Sequence, residues 1–451
     1  MSEEHRYERG LRLALVVLLV AVGVISFDRA RRGEFDFEHF YHDARYVWQH
    51  GDLPPLEAGK HDEQRRLPFY LPAVSLLLAP LTAGGRVPMA LAWAAAQVAA
   101  LGYSLRILRR WAGETPPSAA QRTRPARGGL VLALAAVLAV PALVEAAKFN
   151  QLSFFVLALI LGASQALDRE RPRWAGVLLG LTALLKLLPG IFLVWLLLKR
   201  RWSAAAALVV TVVALALLPA LAAFGWQRTL AYHRQWWSYN VAGDAARGLL
   251  NPELREHFID HRNQSIAQVL ARLTWAEHPY RVRWQPEQLS PQTCMRAAYG
   301  IAGGLLIVLA RRTRRRWQEL DVHGRHAEVA AYASAMLALS PLVRQYYLVW
   351  VLPALVLCAR EALLDEQWHA GPSRAFRARI GWLGLGTWLI GMAAWLSETA
   401  RAYGAHLVML VVIGVLMLWT TARLPADDAP ANGEPAGATR RPRGADAMRD
   451  E

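Results

Sequence analysis

One short segment near the start of the chain gathers several side chains able to do chemistry: Phe35-Asp36-Phe37-Glu38-His39-Phe40-Tyr41-His42-Asp43-Ala44-Arg45. It packs carboxylates, His and aromatics just after a long apolar run. A carboxylate there suits general-base work on an attacking hydroxyl, provided the electrophile already carries a good leaving group. Asp36 is the candidate base, with His39 and Tyr41 as substrate contacts. The same residues also fit an amphipathic helix with interfacial aromatics.

Three further sites carry cations or sugar-binding residue types. Lys186 lies among leucines in LTALLKLLPGIFLVW. A Lys there is costly in lipid unless it is paired, in a polar cavity or able to reach an interface. It reads as an anion-binding group, most naturally for a phosphate, or as a hairpin Lys reaching head groups. Lys148, beside Phe149-Asn150-Gln151, reads the same way. Arg344, in Ser340-Pro341-Leu342-Val343-Arg344-Gln345-Tyr346-Tyr347, offers a bidentate fork suited to phosphate. Tyr346 and Tyr347 can stack on a sugar or sit in an aromatic belt. Residues 224–295 hold Trp226, Trp236, Trp237, Trp275, Trp284 and the run Asn263-Gln264-Ser265. Rings and amides are what carbohydrate binding uses, and Trp is also an ordinary interfacial residue.

These sites need elements to hold them, and composition says which. Of 451 residues, 55% are apolar and 19% charged, against about 45–50% and about 25% in soluble domains. The apolar residues fall in runs separated by Arg-rich clusters and are apolar all round rather than striped. That excludes a soluble enzyme, a secreted disulfide scaffold and a disordered chain. The two Cys, Cys294 and Cys358, lack disulfide or metal spacing. The net charge of +16 belongs to loops at the cytoplasmic face rather than to nucleic-acid binding. Only four basic residues are Lys: Lys60, Lys148, Lys186 and Lys199.

Apolar segments fall at 11–27, 68–83, 86–108, 129–147, 152–167, 174–198, 203–223, 296–310, 327–341, 346–359, 380–396 and 405–421. Asp28-Arg29-Ala30-Arg31-Arg32 follows the first and no small-residue cleavage pattern does, so it reads as a retained span. Arg clusters, among them Arg106 to Arg127 with Arg122 and Arg124, are placed in the cytoplasm. Then 68–83 is re-entrant or lies on the membrane surface. Residues 174–198 break into two half-helices at Lys186–Pro189. About 12 crossings result, with both termini cytoplasmic. The polar segments 28–67, 148–151, 186, 224–295, 344–347 and 398–403 then collect on the outer side. The cytoplasmic loops hold no Gly-rich phosphate loop. The tail 424–451 reads as disordered.

The order and spacing of these motifs resemble glycosyltransferase family 87, the bacterial polyprenyl-phosphate-sugar-dependent transferases of the GT-C fold, over about 35 to 360. Asp36-Phe37 with Phe40-Tyr41 is similar to its Asp-Phe-x-x-Tyr-Tyr segment. Phe69-Tyr70-Leu71-Pro72 followed by Leu76 to Pro80 is similar to its Tyr-Pro-Pro segment, without the second Pro. Asn150-Gln151 falls at its Gly-Gln-x-Asn turn. Leu185 to Pro189 with Lys199-Arg200-Arg201-Trp202 resembles its Leu-Lys-x-x-Pro hairpin. Asn263-Gln264-Ser265 matches its Asn-Gln-Ser. Ser340-Pro341 with Leu348 to Pro353 matches its Ser-Pro…Val-Trp-Leu-Leu-Pro span. Where the family has Trp-Asp-His-His, this chain has Arg344-Gln345-Tyr346-Tyr347.

The resemblance implies an all-α polytopic membrane protein, a GT-C-like bundle over 1–423 whose outer loops carry the site. It implies inverting transfer of a mannose-like or arabinofuranose-like sugar from a polyprenyl phosphate to a glycan or glycolipid hydroxyl at the bacterial plasma membrane. Asp36 is then the base. Lys186, Arg344 and Lys148 hold the donor phosphate. His39, Tyr41, Asn150, Gln151, Asn263, Gln264, Tyr346 and Tyr347 contact substrate. No metal or cofactor is expected. The competing expectation is a transporter or flippase of lipid-linked saccharides, which predicts internal repeats; no convincing repeat relates the halves.

Overall fold

The computed structural model describes residues 3–55, 70–113, 125–240, 262–275, 278, 282, 289–363 and 372–420. Lys60, Phe69, Arg122, Arg124, Trp284 and the tail 424–451 lie outside the described residues. Among the described residues all regular structure is helical.

The helices run in chain order. First come α1 (Glu3–Arg31), α2 (Asp36–His50), α3 (Pro72–Leu78), α4 (Arg86–Gly113) and α5 (Pro125–Lys148). Next are α6 (Ser153–Asp168), α7 (Pro172–Leu185), α8 (Ile191–Leu198), α9 (Trp202–Asn240) and α10 (Ile266–Thr274). The rest are α11 (Pro291–Arg312), α12 (Val322–Ala338), α13 (Leu352–Leu363), α14 (Pro372–Ala394), α15 (Glu398–Ala402) and α16 (Ala405–Thr420). A 3₁₀ turn, Gln345–Val351, leads into α13.

Among the described residues six helices are long and apolar enough to cross a bilayer: Arg9–Arg31, Arg86–Gly113, Gly128–Lys148, Trp202–Ser238, Pro291–Arg312 and Gln345–Leu363. Five shorter apolar helices, including α6, α7 and α16, accompany them. The expectation of about 12 crossings goes beyond these six.

Two sequence expectations have direct counterparts. The segment 28–67 contains α2, whose Phe37, Phe40, Ala44 and Val47 are buried while Trp48 is exposed. It packs on α3 and the turn Ala79–Thr82, so its apolar face meets protein. The segment 174–198 breaks where Pro189 dictates. Proline lacks an amide hydrogen and its ring clashes with the carbonyl four residues back, which is Leu185, the last residue of α7. Lys186 follows in extended conformation (φ −148°, ψ 132°).

Helix α7 packs closely on α9 because glycines face it. A Cβ on Gly176 would lie 2.1 Å from the Ala204 carbonyl oxygen, and one on Gly180 would lie 2.7 Å from Thr211 Cβ. This is the small-residue approach that membrane helices favour. Helix α9 continues past a bend at Gly225 (φ 71°, ψ 174°), so the polar region 224–295 begins as helix.

At the end of α4 opposite α2, one buried ion pair clamps the bundle. Lys199 Nζ meets Glu328 at 2.6 Å, with side-chain exposures of 0% and 1%. The same ammonium donates to the carbonyls of Thr313 (2.6 Å) and Arg315 (2.7 Å). Trp195 Nε1 donates to Glu328 Oε2 at 3.0 Å. Removing one partner of such a pair strands a buried charge, which costs about 3–5 kcal/mol. Lys199→Met is therefore expected to lower the thermal unfolding temperature in detergent sharply, and Lys199→Met/Glu328→Leu to recover most of the loss; equal loss in both would contradict the ion-pair reading.

Candidate active site

At the other end of the bundle, the α5–α6 turn carries Lys148-Phe149-Asn150-Gln151. Asn150 takes a left-handed conformation (φ 52°), which Asn tolerates better than most residues. Its side chain is held at both ends. Gln97 Nε2 of α4 donates to Oδ1 at 3.0 Å, and Nδ2 donates to the Ser26 carbonyl of α1 at 3.1 Å. Gln97, Asn150 and Ser26 are all buried. The turn is thus fixed to two long helices.

The start of α2 is fixed to the same turn. The Asp36 amide donates to the Phe149 carbonyl at 3.4 Å. The rings of Phe35 and Phe149 lie 4.4 Å apart. Phe35 adopts φ 58°, ψ −146°, a region nearly restricted to glycine and strained by roughly 1–3 kcal/mol in other residues. The strained residue immediately precedes Asp36, the first residue of α2.

From this frame a chain of hydrogen bonds crosses the site. Gln151 Nε2 donates to Asp36 Oδ2. Lys186 Nζ donates to Gln151 Oε1 at 3.0 Å and to Tyr347 Oη at 2.7 Å. The ammonium lies 4.4 Å from the Tyr347 ring centroid and 5.7 Å from that of Tyr70. Tyr347 stacks on Trp350 (4.9 Å), whose indole donates to the Ser153 carbonyl at 2.9 Å. Four segments remote in sequence therefore meet: the start of α2, the α5–α6 turn, the α7–α8 break and the turn before α13.

The electrostatics follow from depth. Burial pushes the Asp36 carboxyl above the usual carboxylate range; Lys186, His39 and hydrogen bonds from Gln151 and Tyr70 pull it back part-way. Asp36 still keeps partial exposure. Burial and the Asp36 charge raise the Tyr70 phenol well above its ordinary value, so Tyr70 acts as a hydrogen-bond donor. Among the described residues no three His, Cys, Asp or Glu side chains cluster to hold a metal ion.

Residues 69–343 match the model for Glycosyltransferase family 87. The chain belongs to that family. It is similar to a polyprenol-phosphate-mannose-dependent α-(1-2)-phosphatidylinositol mannoside mannosyltransferase of Mycolicibacterium smegmatis, 27% identical over 216 residues. That match covers 47% of this chain and 42% of the relative, so the chain spans less than half the length of this curated relative. A crystal structure of ArnT from Cupriavidus metallidurans bound to undecaprenyl phosphate aligns at 17% identity and a TM-score of 0.35, covering 89% of this chain and 76% of that one. A likeness of that size carries no argument about this chain's chemistry.

For this family 87 chain, the predicted residues divide by location. Asp36, Gln151, Lys186 and Tyr347 share the chain of hydrogen bonds. Tyr346 flanks it, its ring 5.1 Å from Phe149 and 4.6 Å from Tyr347. Arg344, half-buried, opens the same 3₁₀ turn and acts electrostatically on Tyr346. His39 lies within electrostatic reach of Asp36. Asn150 holds the turn. Lys148 turns to Glu145 on its own helix, 3.7 Å away. Tyr41 sits beneath Arg86, 5.0 Å from its guanidinium carbon, beside the Arg86–Glu38 pair (2.9 Å).

Asn263 and Gln264 form a brace. Asn263 Oδ1 accepts from the Val343 amide (3.0 Å), and the Gln264 amide donates to the Val343 carbonyl (2.9 Å). Gln264 Nε2 reaches the Arg401 carbonyl at 2.8 Å. Together they tie the Ser340–Tyr347 segment to α10 and α15.

Sequence reasoning missed Tyr70, Gln97 and Ser26 as members of the site. Tyr70 lies inside the Phe69–Pro72 motif, where residue type alone gave it no role. Gln97 is a lone amide in an apolar run, and that was its signal. Ser26 gave none. Asn150→Ala removes two buried hydrogen bonds and puts Ala in a left-handed conformation, so it is expected to cost about 2–4 kcal/mol. Thermal unfolding in detergent checks this; a loss no larger than for an exposed Asn would contradict the pinned turn.

Proposed function

We propose that this chain transfers a sugar from a polyprenyl-phosphate donor to an acceptor hydroxyl at the outer face of the bacterial cytoplasmic membrane, with inversion and without a metal. The observation that carries the reading is the Asp36–Gln151–Lys186–Tyr347 chain: a carboxylate base one amide away from a fixed cation. Membership of glycosyltransferase family 87 and the mannosyltransferase activity of the Mycolicibacterium smegmatis relative support the reaction class. A GT-C-like bundle of about 12 crossings, with both termini cytoplasmic, is the arrangement that puts this end of the bundle outside.

The chemistry balances simply. The acceptor oxygen forms a bond to the anomeric carbon as that carbon's bond to the phosphate oxygen breaks. The acceptor proton passes to Asp36, and the electron pair leaves with polyprenyl phosphate. That phosphate is a stable anion, so no general acid is required. Lys186, with Arg344 from the neighbouring turn, stabilises the charge developing on it. His39 acts on Asp36 from the same helix, and Tyr347, flanked by Tyr346, accepts from Lys186. Lys148 pairs with Glu145, and Asn263 and Gln264 act on the reaction through the segment they brace. The sugar is mannose-like on this reading, and the acceptor a glycan or glycolipid.

Asp36→Asn keeps the shape of the side chain and removes the base, so turnover is expected to fall by about 10²–10⁴-fold while donor binding persists. Lys186→Met is expected to lower turnover by about 10²–10³-fold. Wild-type rates in Asp36→Asn would overturn the assignment.

The pH dependence has a definite sign. Asp36 works ionised, and burial raises its pKa. Activity is therefore lost as pH falls through a value above the ordinary carboxylate range, and the acid limb of kcat/KM is the measurement. A limb at or below about pH 4, the range of a free Asp, would contradict Asp36 as the base.

A further inference from the structure

The transferase reading needs a strong base and a strong cation side by side, and such groups neutralise each other when they touch. Among the described residues no direct ion pair joins Asp36 to Lys186. The Gln151 amide stands between them, donating to the carboxylate and accepting from the ammonium.

We propose that Gln151 is a spacer: its amide binds base and cation at once, holds them apart, and so keeps the carboxylate free for an acceptor proton and the ammonium free for a phosphate. This rests on the transferase reading and changes the expected part of Gln151 from substrate contact to positioning residue. It acts through Asp36 and Lys186 rather than on substrate.

Three observations carry the inference. The first is the amide's orientation. A carboxylate only accepts and an ammonium only donates, so a single amide bridging the two has its NH₂ on Asp36 and its oxygen on Lys186, as found.

The second is immobility. Gln151 is 1% exposed, and the preceding residue is Asn150, pinned to α4 and α1. The Asp36 amide is tied to the same turn through Phe149. The spacer and the base therefore share one rigid mount, while Lys186 arrives from a different one.

The third is spare capacity. Two of the ammonium's three protons go to Gln151 and Tyr347, which leaves one for an anion. Asp36 accepts from Gln151 and Tyr70, which leaves lone pairs for a hydroxyl.

The charged and titratable groups around Asp36 are His39 on its own helix, Tyr70 before α3, Lys186 at the α7–α8 break, and Tyr346 and Tyr347 before α13. Arg344 stands behind Tyr346, and the Glu38–Arg86 pair follows along α2. Of these, Lys186 is the cation that removal of the spacer would admit.

The test compares Gln151→Ala and Gln151→Glu in the purified full-length protein. In Gln151→Ala, Lys186 closes on Asp36. The acid limb of kcat/KM is expected to move down by about 1 pH unit, and KM for a polyprenyl-phosphate sugar to rise several-fold as the cation is taken up. In Gln151→Glu, nearly the same shape places a second carboxylate against Asp36 and binds Lys186 itself. The acid limb is expected to move up by about 1 pH unit.

Infrared titration of the Asp36 carboxyl, read against Asp36→Asn, gives the same ordering without turnover. It decides the matter if either variant is inactive, and Gln151→Glu decides alone if Gln151→Ala does not fold. Opposite shifts support the spacer. Unmoved limbs and bands, or shifts in the same direction, overturn it and leave Gln151 a packing residue. Full transfer by Asp36→Asn would instead defeat the transferase reading's base, and the infrared ordering would still judge the spacer.

Discussion

The pull between Asp36 and Lys186 is the interaction around which the site is organised. Two unit charges about 4 Å apart in a protein-like medium attract by about 4 kcal/mol. Left unopposed, that pull would join the two in a salt bridge. The fold opposes it by mounting the two on separate elements and placing an amide between them. The α5–α6 turn is anchored by Gln97 and Ser26 on two long helices. Strain at Phe35 is carried by the ring contact with Phe149 and the Asp36–Phe149 hydrogen bond. The proline-forced break after Leu185 releases Lys186 from its helix.

The two buried-sequence lysines make an instructive contrast. Both interrupt apolar runs and both find partners. Lys199 spends all three protons on protein acceptors, one of them the Glu328 carboxylate. Nothing is left for a ligand, and its work is to clamp α8 to α12 and the Thr313–Arg315 segment. Lys186 meets only an amide oxygen and a phenol, neither of which cancels its charge. One ammonium is a fastening; the other, on the proposed reading, is held for an anion.

Much of this arrangement was legible in the sequence because local rules governed it. Pro189 fixes the helix break, and the residues after Phe35 fit the amphipathic helix α2. Asp36, Gln151, Lys186 and Tyr347 each stand out in the sequence by residue type and motif. Their convergence was not legible, because it depends on how α1, α4 and α5 pack. For the same reason Gln97 and Ser26, which do the anchoring, carried little or no signal. Asn263 and Gln264 read as sugar-binding amides by residue type, whereas their hydrogen bonds go to the backbone of Val343 and Arg401. Amide side chains serve both purposes, and only geometry separates them. Tyr347, one of the positions where the sequence departs from the motif it resembles, meets Lys186, so that departure lies inside the site.

The most direct measurement uses the purified protein in detergent micelles, where there is no membrane to cross, with a panel of polyprenyl-phosphate sugars and a membrane extract as acceptor. Formation of a glycosylated acceptor with matching release of polyprenyl phosphate, from a mannose-like donor above all, is the predicted result. No release from any donor, together with movement of lipid-linked saccharide across the bilayer when the same protein is reconstituted in vesicles, would contradict it.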